Sequence, residues 1–149
     1  MNIRKLGAAD DLTGAIQLLC RFFSEEEFTT DTSAIAVHTR QLASLETCGL
    51  FVAEEDGQTV GVTTFSLEFG IEYGWWAEMG DLYVLPEHRG RGISRELVAA
   101  AEAFLKVRGV AGYQVTVTRH ARERHDLARY YSRLGFDSEE RVILSKRLA

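Results

Sequence analysis

The chain has 149 residues, 46% of them hydrophobic, which suffices for one domain whose core needs neither disulfide nor metal. A formal net charge of −5 leaves no excess of cations for an extended nucleic-acid-binding face. No apolar stretch approaches the roughly 20 residues of a membrane span, and the N-terminal MNIRKLGAADD has no signal-peptide core. The two cysteines, Cys20 and Cys48, form no CxxC pair and no zinc spacing, so they are expected as reduced thiols in a cytoplasmic protein.

NIRKL predicts a short first strand. Asp10 and Asp11 then cap a helix that carries Leu12, Ile16, Leu19 and Phe23 at helical spacing. After the polar break SEEEFTTD, a second helix is expected from Thr32 to about Thr47, with Ile35, Val37, Leu42 and Leu45. GLFVAEEDGQTVGVTTFSLEF predicts two strands around the turn Asp56-Gly57. WWAEMGDLYVLP is the next strand, and Gly80 inside it predicts a bulge. The helix after the following glycines gathers Ile93, Leu97, Ala101, Phe104 and Leu105 on one side. In GYQVTVT, Tyr113, Val115 and Val117 alternate with Gln114, Thr116 and Thr118, the pattern of a strand. RHDLARYYSRLG predicts one short helix with Leu127, Tyr131 and Leu134 on a stripe and Gly135 as its C-cap. RVILSKRL predicts a closing strand. The order is βααβββαβαβ(β), an α/β fold with a mixed central sheet flanked by helices in a single domain over residues 1–149.

The segment LYVLPEHRGRGISRELV, residues 82–98, places two glycines and two arginines between a strand and a helix. A helix N-terminus presents backbone N–H groups and the positive end of the macrodipole. Reached through glycines, those amides close on a phosphate without Cβ atoms in the way. Two phosphate motifs are excluded. GxxxxGK[ST] is absent, and GxGxxG would need glycine where Arg95 stands. A tight turn with surface arginines is the competing reading of the same residues.

The strand and glycine loop just quoted, with a second motif from Ala128 to Phe136, resemble the acetyl-CoA-dependent N-acetyltransferase superfamily called GNAT, and the run GIEYGWWAEMGDLYVLPEHRGRG is similar to its aminoglycoside-acetyltransferase-like branch. Leu82-Tyr83-Val84-Leu85-Pro86 followed by Arg89-Gly90-Arg91-Gly92-Ile93-Ser94 is similar to the family's L-x-V-x-P strand and its [Q/R]-x-x-G-x-[G/A] loop. Ala128, Tyr130, Tyr131, Gly135 and Phe136 are similar to A-x-x-[F/Y]-Y-x-x-x-G-F, with one residue fewer between the alanine and the tyrosine pair. The resemblance covers residues from Leu50 onward and implies a GNAT-type fold with acetyl-CoA as co-substrate and no metal. It implies that the amides of Arg89 through Ser94 hold the pyrophosphate of coenzyme A, and that its pantetheine arm lies along Leu82, Tyr83 and Val84. Two positions depart from the family pattern. Ser94 stands where Gly or Ala is usual, and His125, a further expected cofactor contact, stands where Asn is frequent.

Acetyl transfer to an amine requires a base for the amine, donors for the developing oxyanion and an acid for the leaving thiolate. The resemblance assigns the acid to Tyr131, against a packing role on the Leu127/Leu134 stripe. It offers Glu78 as base, with Asp81 as rival, and a backbone amide near Leu82 or Tyr83 for the oxyanion. His38, His88, His120 and His125 form no triad with a carboxylate and nucleophile. Trp75 and Trp76 are candidates for the acceptor pocket or for the core. Glu25, Glu26, Glu27 and Phe28, in the segment joining the first two helices, are expected to overhang the acceptor site and favour a cation. The implied activity is N-acetylation of a small cationic amine such as an aminoglycoside or polyamine. A protein lysine or N-terminus as acceptor, or an acyl-CoA-binding module without turnover, are the alternatives. A homodimer is the expected assembly, with no nucleic-acid or membrane partner.

Overall fold

A computed structural model describes residues 1–138 and 140–148. They fall into two compact units, Met1–Thr116 and Val117–Ala149, and each is described by itself.

The first unit runs β1 (Asn2–Leu6), α1 (Thr13–Glu25), α2 (Thr32–Ser44), β2 (Cys48–Glu55), β3 (Gln58–Gly70), β4 (Gly74–Val84), a 3₁₀ turn (Pro86–His88), α3 (Ile93–Val107) and β5 (Tyr113–Val115). The strands lie side by side in chain order. The first four are antiparallel and β5 is parallel to β4, so the sheet is mixed, as the sequence predicts. Leu50, Phe51, Val52 and Ala53 of β2 are all buried, since α3 covers one face of the sheet and α1 with α2 the other. Gly61 marks the α3 face: a Cβ there would meet Leu97 at 2.9 Å and Ile93 at 3.2 Å. Tyr83 marks the other face, its ring 5.5 Å from that of Phe22 on α1.

Helix starts differ in how they are capped. Asp31 accepts from the Ser33 N–H and opens α2 at Thr32, the expected place, although the helix stops at Ser44. Neither Asp10 nor Asp11 is the N-cap of α1. Leu12 takes that position, while Asp11 accepts from the Thr13 N–H and Asp10 turns back to the N–H of Gly7.

The bulge predicted at Gly80 is present. Phe65 pairs with Met79 and Thr64 with Asp81, which leaves Gly80 as the extra residue of β4. In a regular strand Glu78 and Asp81, three apart, would face opposite sides. The bulge returns them to one side, opposite Ser66 and Thr64, on the face covered by α1 and α2. Two buried threonines hold the bulge. The Thr63 hydroxyl donates to the Asp81 carbonyl at 2.7 Å, and the Thr64 hydroxyl donates to the Asp81 carboxylate at 2.5 Å. β5 pairs with β4 only from Ala77 to Met79, so beyond Met79 that edge of β4 has no strand partner among the described residues.

In the second unit, α5 (Leu127–Arg133) is the helix the sequence predicts over 124–135, and α4 (Arg119–His125), lying mostly ahead of it, is a helix the sequence does not predict. Asp126, at φ 47°, breaks the run between them. The strand expected through Thr118 ends at Val115, because the Thr118 hydroxyl instead caps α4 by accepting from the Ala121 N–H. Gly135 closes α5 as expected. At φ 91° it donates to Ser132, and Phe136 donates to Tyr131, the paired bonds of a Schellman motif. The closing strand expected over RVILSKRL is not formed among residues 141–148. Val142, Ile143 and Leu144 are consecutive rather than alternating, so the segment specifies no buried face, and all three are exposed.

Burial pushes the Asp81 carboxyl above its ordinary 3.8, and the Thr64 hydrogen bond only partly opposes it. The folded chain therefore holds this proton more tightly than the unfolded chain. Its contribution to stability is full below 3.8 and falls as pH rises towards the raised value. Asp81→Asn is expected to exceed the parent protein in urea midpoint at pH 7, with the gap closing towards pH 3. A gap that does not change with pH would contradict the assignment.

Candidate active site

The turn between β4 and α3 is built on two left-handed residues, Gly90 at φ 76° and Gly92 at φ 81°. A side chain at either would be strained, and a Cβ built on either meets no protein atom within 4 Å. The loop is thus an open backbone cradle at the head of a 15-residue helix. The first bond of α3 runs from Glu96 N–H to Gly92 carbonyl, so the amides of its first turn lie outside the helical ladder. A helix N-terminus carries the positive end of the macrodipole, which favours an anion.

The two arginines of the loop do not stand as open charges. Arg91 is bound by Glu55 through two contacts of 2.6 and 3.0 Å, and His88 Nδ1 meets the same carboxylate at 3.1 Å. Glu55 is held below its ordinary range first by the Arg91 hydrogen bonds. Arg89 donates from Nε to the Val84 carbonyl at 2.9 Å, lies over the Tyr83 ring and reaches Glu25 at 3.5 Å. These contacts anchor the loop to the β2–β3 turn and to the end of α1.

Along β4, Leu82 and Val84 face α3, whereas Tyr83 faces α1. The Tyr83 hydroxyl donates to Glu25 at 2.7 Å, and burial, reinforced by Glu25, pushes its phenol up to about 12. Burial works to raise the Glu25 carboxyl, but the Tyr83 hydrogen bond and the charges of Arg89 and Arg21 outweigh it and hold it low. The sequence casts Glu25 as a ligand for a cationic acceptor. Its carboxylate is instead engaged by Tyr83, Arg21 and Arg89, and it fastens α1 to β4. Glu26 is buried and Glu27, at φ 59°, is the left-handed residue that ends the helical run. Phe28 is 40% exposed, with its ring edge-on to Phe22 and Phe23.

Glu78 and Asp81 share one face but not one environment. Glu78 is half-buried beside β5 and accepts from the Thr116 hydroxyl at 3.1 Å. Asp81 looks into a cavity of about 100 Å³ between α1, α2 and the sheet. Trp76 is half-buried. Its indole N–H donates to Gln114, its ring stacks on Tyr73, and a Cβ on Gly112 would come within 2.7 Å of it. Trp75 lies edge-on to Phe69 at the end of the β3–β4 hairpin and is 38% exposed.

Tyr131 and His125 belong to the second unit. The Tyr131 ring sits between Tyr130 and Phe136 at centroid distances of 5.1 and 5.3 Å. Burial, then Tyr130, raises its phenol to about 12, above the ordinary value that the sequence suggests. His125 is the last residue of α4.

Sequence reasoning passes over Thr63, Thr64, Thr39 and Glu55. Two adjacent threonines in the middle of an apolar strand are the one signal that marks the first pair, since a buried hydroxyl needs a partner. Among the described residues no group of His, Cys, Asp and Glu could hold a metal ion, and no helix is long and apolar enough to cross a membrane.

The comparisons with known proteins point to one family. The acetyltransferase (GNAT) family model matches residues 12–136. The uncharacterized N-acetyltransferase YhbS of Escherichia coli (strain K12) is 32% identical over 111 residues, 74% of this chain and 61% of that protein. The aminoalkylphosphonate N-acetyltransferase of Salmonella typhimurium is 31% identical over 86 residues, 57% of this chain and 54% of that protein. The chain thus spans roughly half the length of these curated relatives. Among solved structures, the aminoglycoside N-acetyltransferase AAC(6')-Iy in complex with CoA superposes with a TM-score of 0.84 at 19% identity, covering 99% of this chain and 95% of that one. The aminoglycoside acetyltransferase meta-AAC0020, from an uncultured soil metagenomic sample, gives 0.76 at 23%, with coverage of 99% and 95%. A family match that takes in the glycine cradle, both β4 carboxylates and Tyr131 makes this chain a member of the acetyltransferase (GNAT) family.

Proposed function

We propose that the chain transfers an acetyl group from acetyl-CoA to the primary amine of a small cationic substrate, an aminoglycoside, a polyamine or a related metabolite. The observation that carries this reading is the convergence on β4 of an open glycine cradle, an unpaired strand edge and two carboxylates on one face. The thioester of acetyl-CoA supplies the activated acyl group. In the transfer an N–C bond forms, a C–S bond breaks, one proton leaves the amine and one reaches the sulfur.

Each part falls to a residue of this chain. The amides of Arg89 through Ser94 bind the diphosphate, and the open edge at Leu82, Tyr83 and Val84 receives the extended arm. Glu78, positioned by Thr116 and open to solvent, takes the proton of the amine, directly or through water. Asp81, in less polar surroundings, holds the cation. Tyr131 meets the leaving sulfur. With a phenol at about 12, it is a weaker acid than a thiol near 8.5. Its role is therefore hydrogen-bond donation to the thiolate, with water completing the protonation. His125 is a second contact for the cofactor. One domain over residues 1–149, a homodimer and a cytoplasmic location belong to the same reading, and the free thiols of Cys20 and Cys48 support the last of these.

Two experiments test it. Gly92→Ala places a Cβ in the cradle, so coenzyme A affinity measured by calorimetry is expected to fall at least tenfold, about 1.4 kcal/mol. Gly109→Ala is the control, since Gly109 is left-handed at φ 72° and equally open but lies at the other end of α3. Equal effects of the two substitutions would remove the cradle from the account. Tyr131→Phe keeps the ring and its contacts, so acetyl-CoA binding should persist while single-turnover acetyl transfer slows about tenfold or more. Tyr130→Phe should change the rate little. Full single-turnover activity in Tyr131→Phe would make Tyr131 a packing residue.

A further inference from the structure

The cavity beside Asp81 has a chemistry more specific than a general affinity for cations. Leu19 and Phe23 of α1 and Ile35 and Leu42 of α2 supply its apolar walls, with Thr39, Thr64 and Asp81 as inner polar groups. Both threonine hydroxyls have committed their protons. Thr39 donates to the Ile35 carbonyl at 2.6 Å and Thr64 to the Asp81 carboxylate. A hydroxyl whose proton is used can only accept further bonds. These three groups therefore offer acceptors to the cavity, and one of them carries the carboxylate. His38 and Thr30 are exposed and stand at the mouth.

An occupant must then be a donor with a positive charge and an otherwise apolar body. An ammonium group, with three N–H donors and no acceptor, matches. Size narrows the class. A cavity of about 150 Å³ holds benzene, which has six heavy atoms, so the present volume of about 100 Å³ accommodates roughly four. That is an aminopropyl segment. The hydroxyl-bearing ring of an amino sugar cannot enter whole, and any polar groups it inserted would face Leu19, Phe23 and Leu42. Resting on the acetyl-transfer reading, we propose that this cavity is an acceptor subsite for the ammonium-bearing end of an unbranched aliphatic amine. The acceptor would then be an aliphatic diamine or polyamine rather than an aminoglycoside.

The test reads binding apart from turnover, using the full chain and 1,3-diaminopropane as probe. In an NMR titration without acetyl-CoA, the methyl groups of Leu19, Ile35 and Leu42 are expected to shift and saturate. Asp81→Asn, which keeps the shape and removes the charge, should weaken that binding at least tenfold. Absent shifts, or equal affinity in Asp81→Asn judged folded by its spectrum, would overturn the subsite. A thiol-release assay then compares 1,3-diaminopropane and spermidine with kanamycin. The inference expects kcat/KM for the aliphatic amines to exceed that for kanamycin at least tenfold, and the reverse order would overturn it. If no acceptor releases thiol although the methyl shifts appear and depend on Asp81, the acetyl-transfer reading fails and the cation site stands.

Discussion

The extra residue that β4 carries at Gly80 governs what the strand can present. Side chains on a strand alternate, and a shift of one residue exchanges the faces of everything beyond it. Before the bulge, Ala77 and Met79 point into the α3 side and Glu78 away from it. After it, Leu82 and Val84 return to the α3 side, so Tyr83 and Asp81 join Glu78 on the other. A regular strand would drive one of the two carboxylates into the apolar layer under α3. Thr63 and Thr64 fix the irregularity from the neighbouring strand by bonding the carbonyl and the carboxylate of the same residue. Gly80 itself is tightly placed, for a Cβ would come within 3.0 Å of the Thr64 hydroxyl.

The second constraint is the fastening of the glycine loop. A left-handed turn rich in glycine has little order of its own, because glycine loses the most conformational freedom on folding. Arg91 ties it to Glu55 at one side and Arg89 ties it to Glu25 at the other. Tyr83 completes the second tie from beneath through the same Glu25 carboxylate. Glu25 also ends α1, so the segment leading to α2 and the glycine turn are joined through one carboxylate. Exposed ion pairs of this sort contribute modestly to stability. Their value here is positional: they fix the course of the turn between β4 and α3.

Much of the fold was legible from pattern. Helical stripes, the Asp56-Gly57 hairpin, the Gly80 bulge and the Gly135 cap follow from local geometry, which a sequence states directly. The misreadings arise where a side chain competes with the backbone. Thr118 caps α4 and ends a strand that its alternation would extend, and Asp126 adopts a left-handed conformation, so α5 begins at Leu127 rather than at Arg124. RVILSKRL carries apolar residues without alternation, so composition suggested a strand that register does not specify. At the site, the glycines and the β4 carboxylates were visible as motifs. The partner of each charge was not. Nothing local says that Glu25 meets Tyr83 or that Glu55 meets Arg91, across sequence separations of 58 and 36 residues. That Thr39 and Thr64 turn only acceptors to the Asp81 cavity is likewise a property of hydrogen-bond direction, which exists only once the chain is folded.

The central claim is that the glycine turn and the open edge of β4 together form the seat of coenzyme A. Hydrogen–deuterium exchange of the intact chain, with and without saturating coenzyme A, tests it most directly. The account predicts slowed exchange at the amides of the Gly90–Ser94 turn and along Gly80–Val84. It predicts little change along β1, which lies at the far edge of the sheet. Protection elsewhere, with both of these segments exchanging as in the free protein, would contradict it.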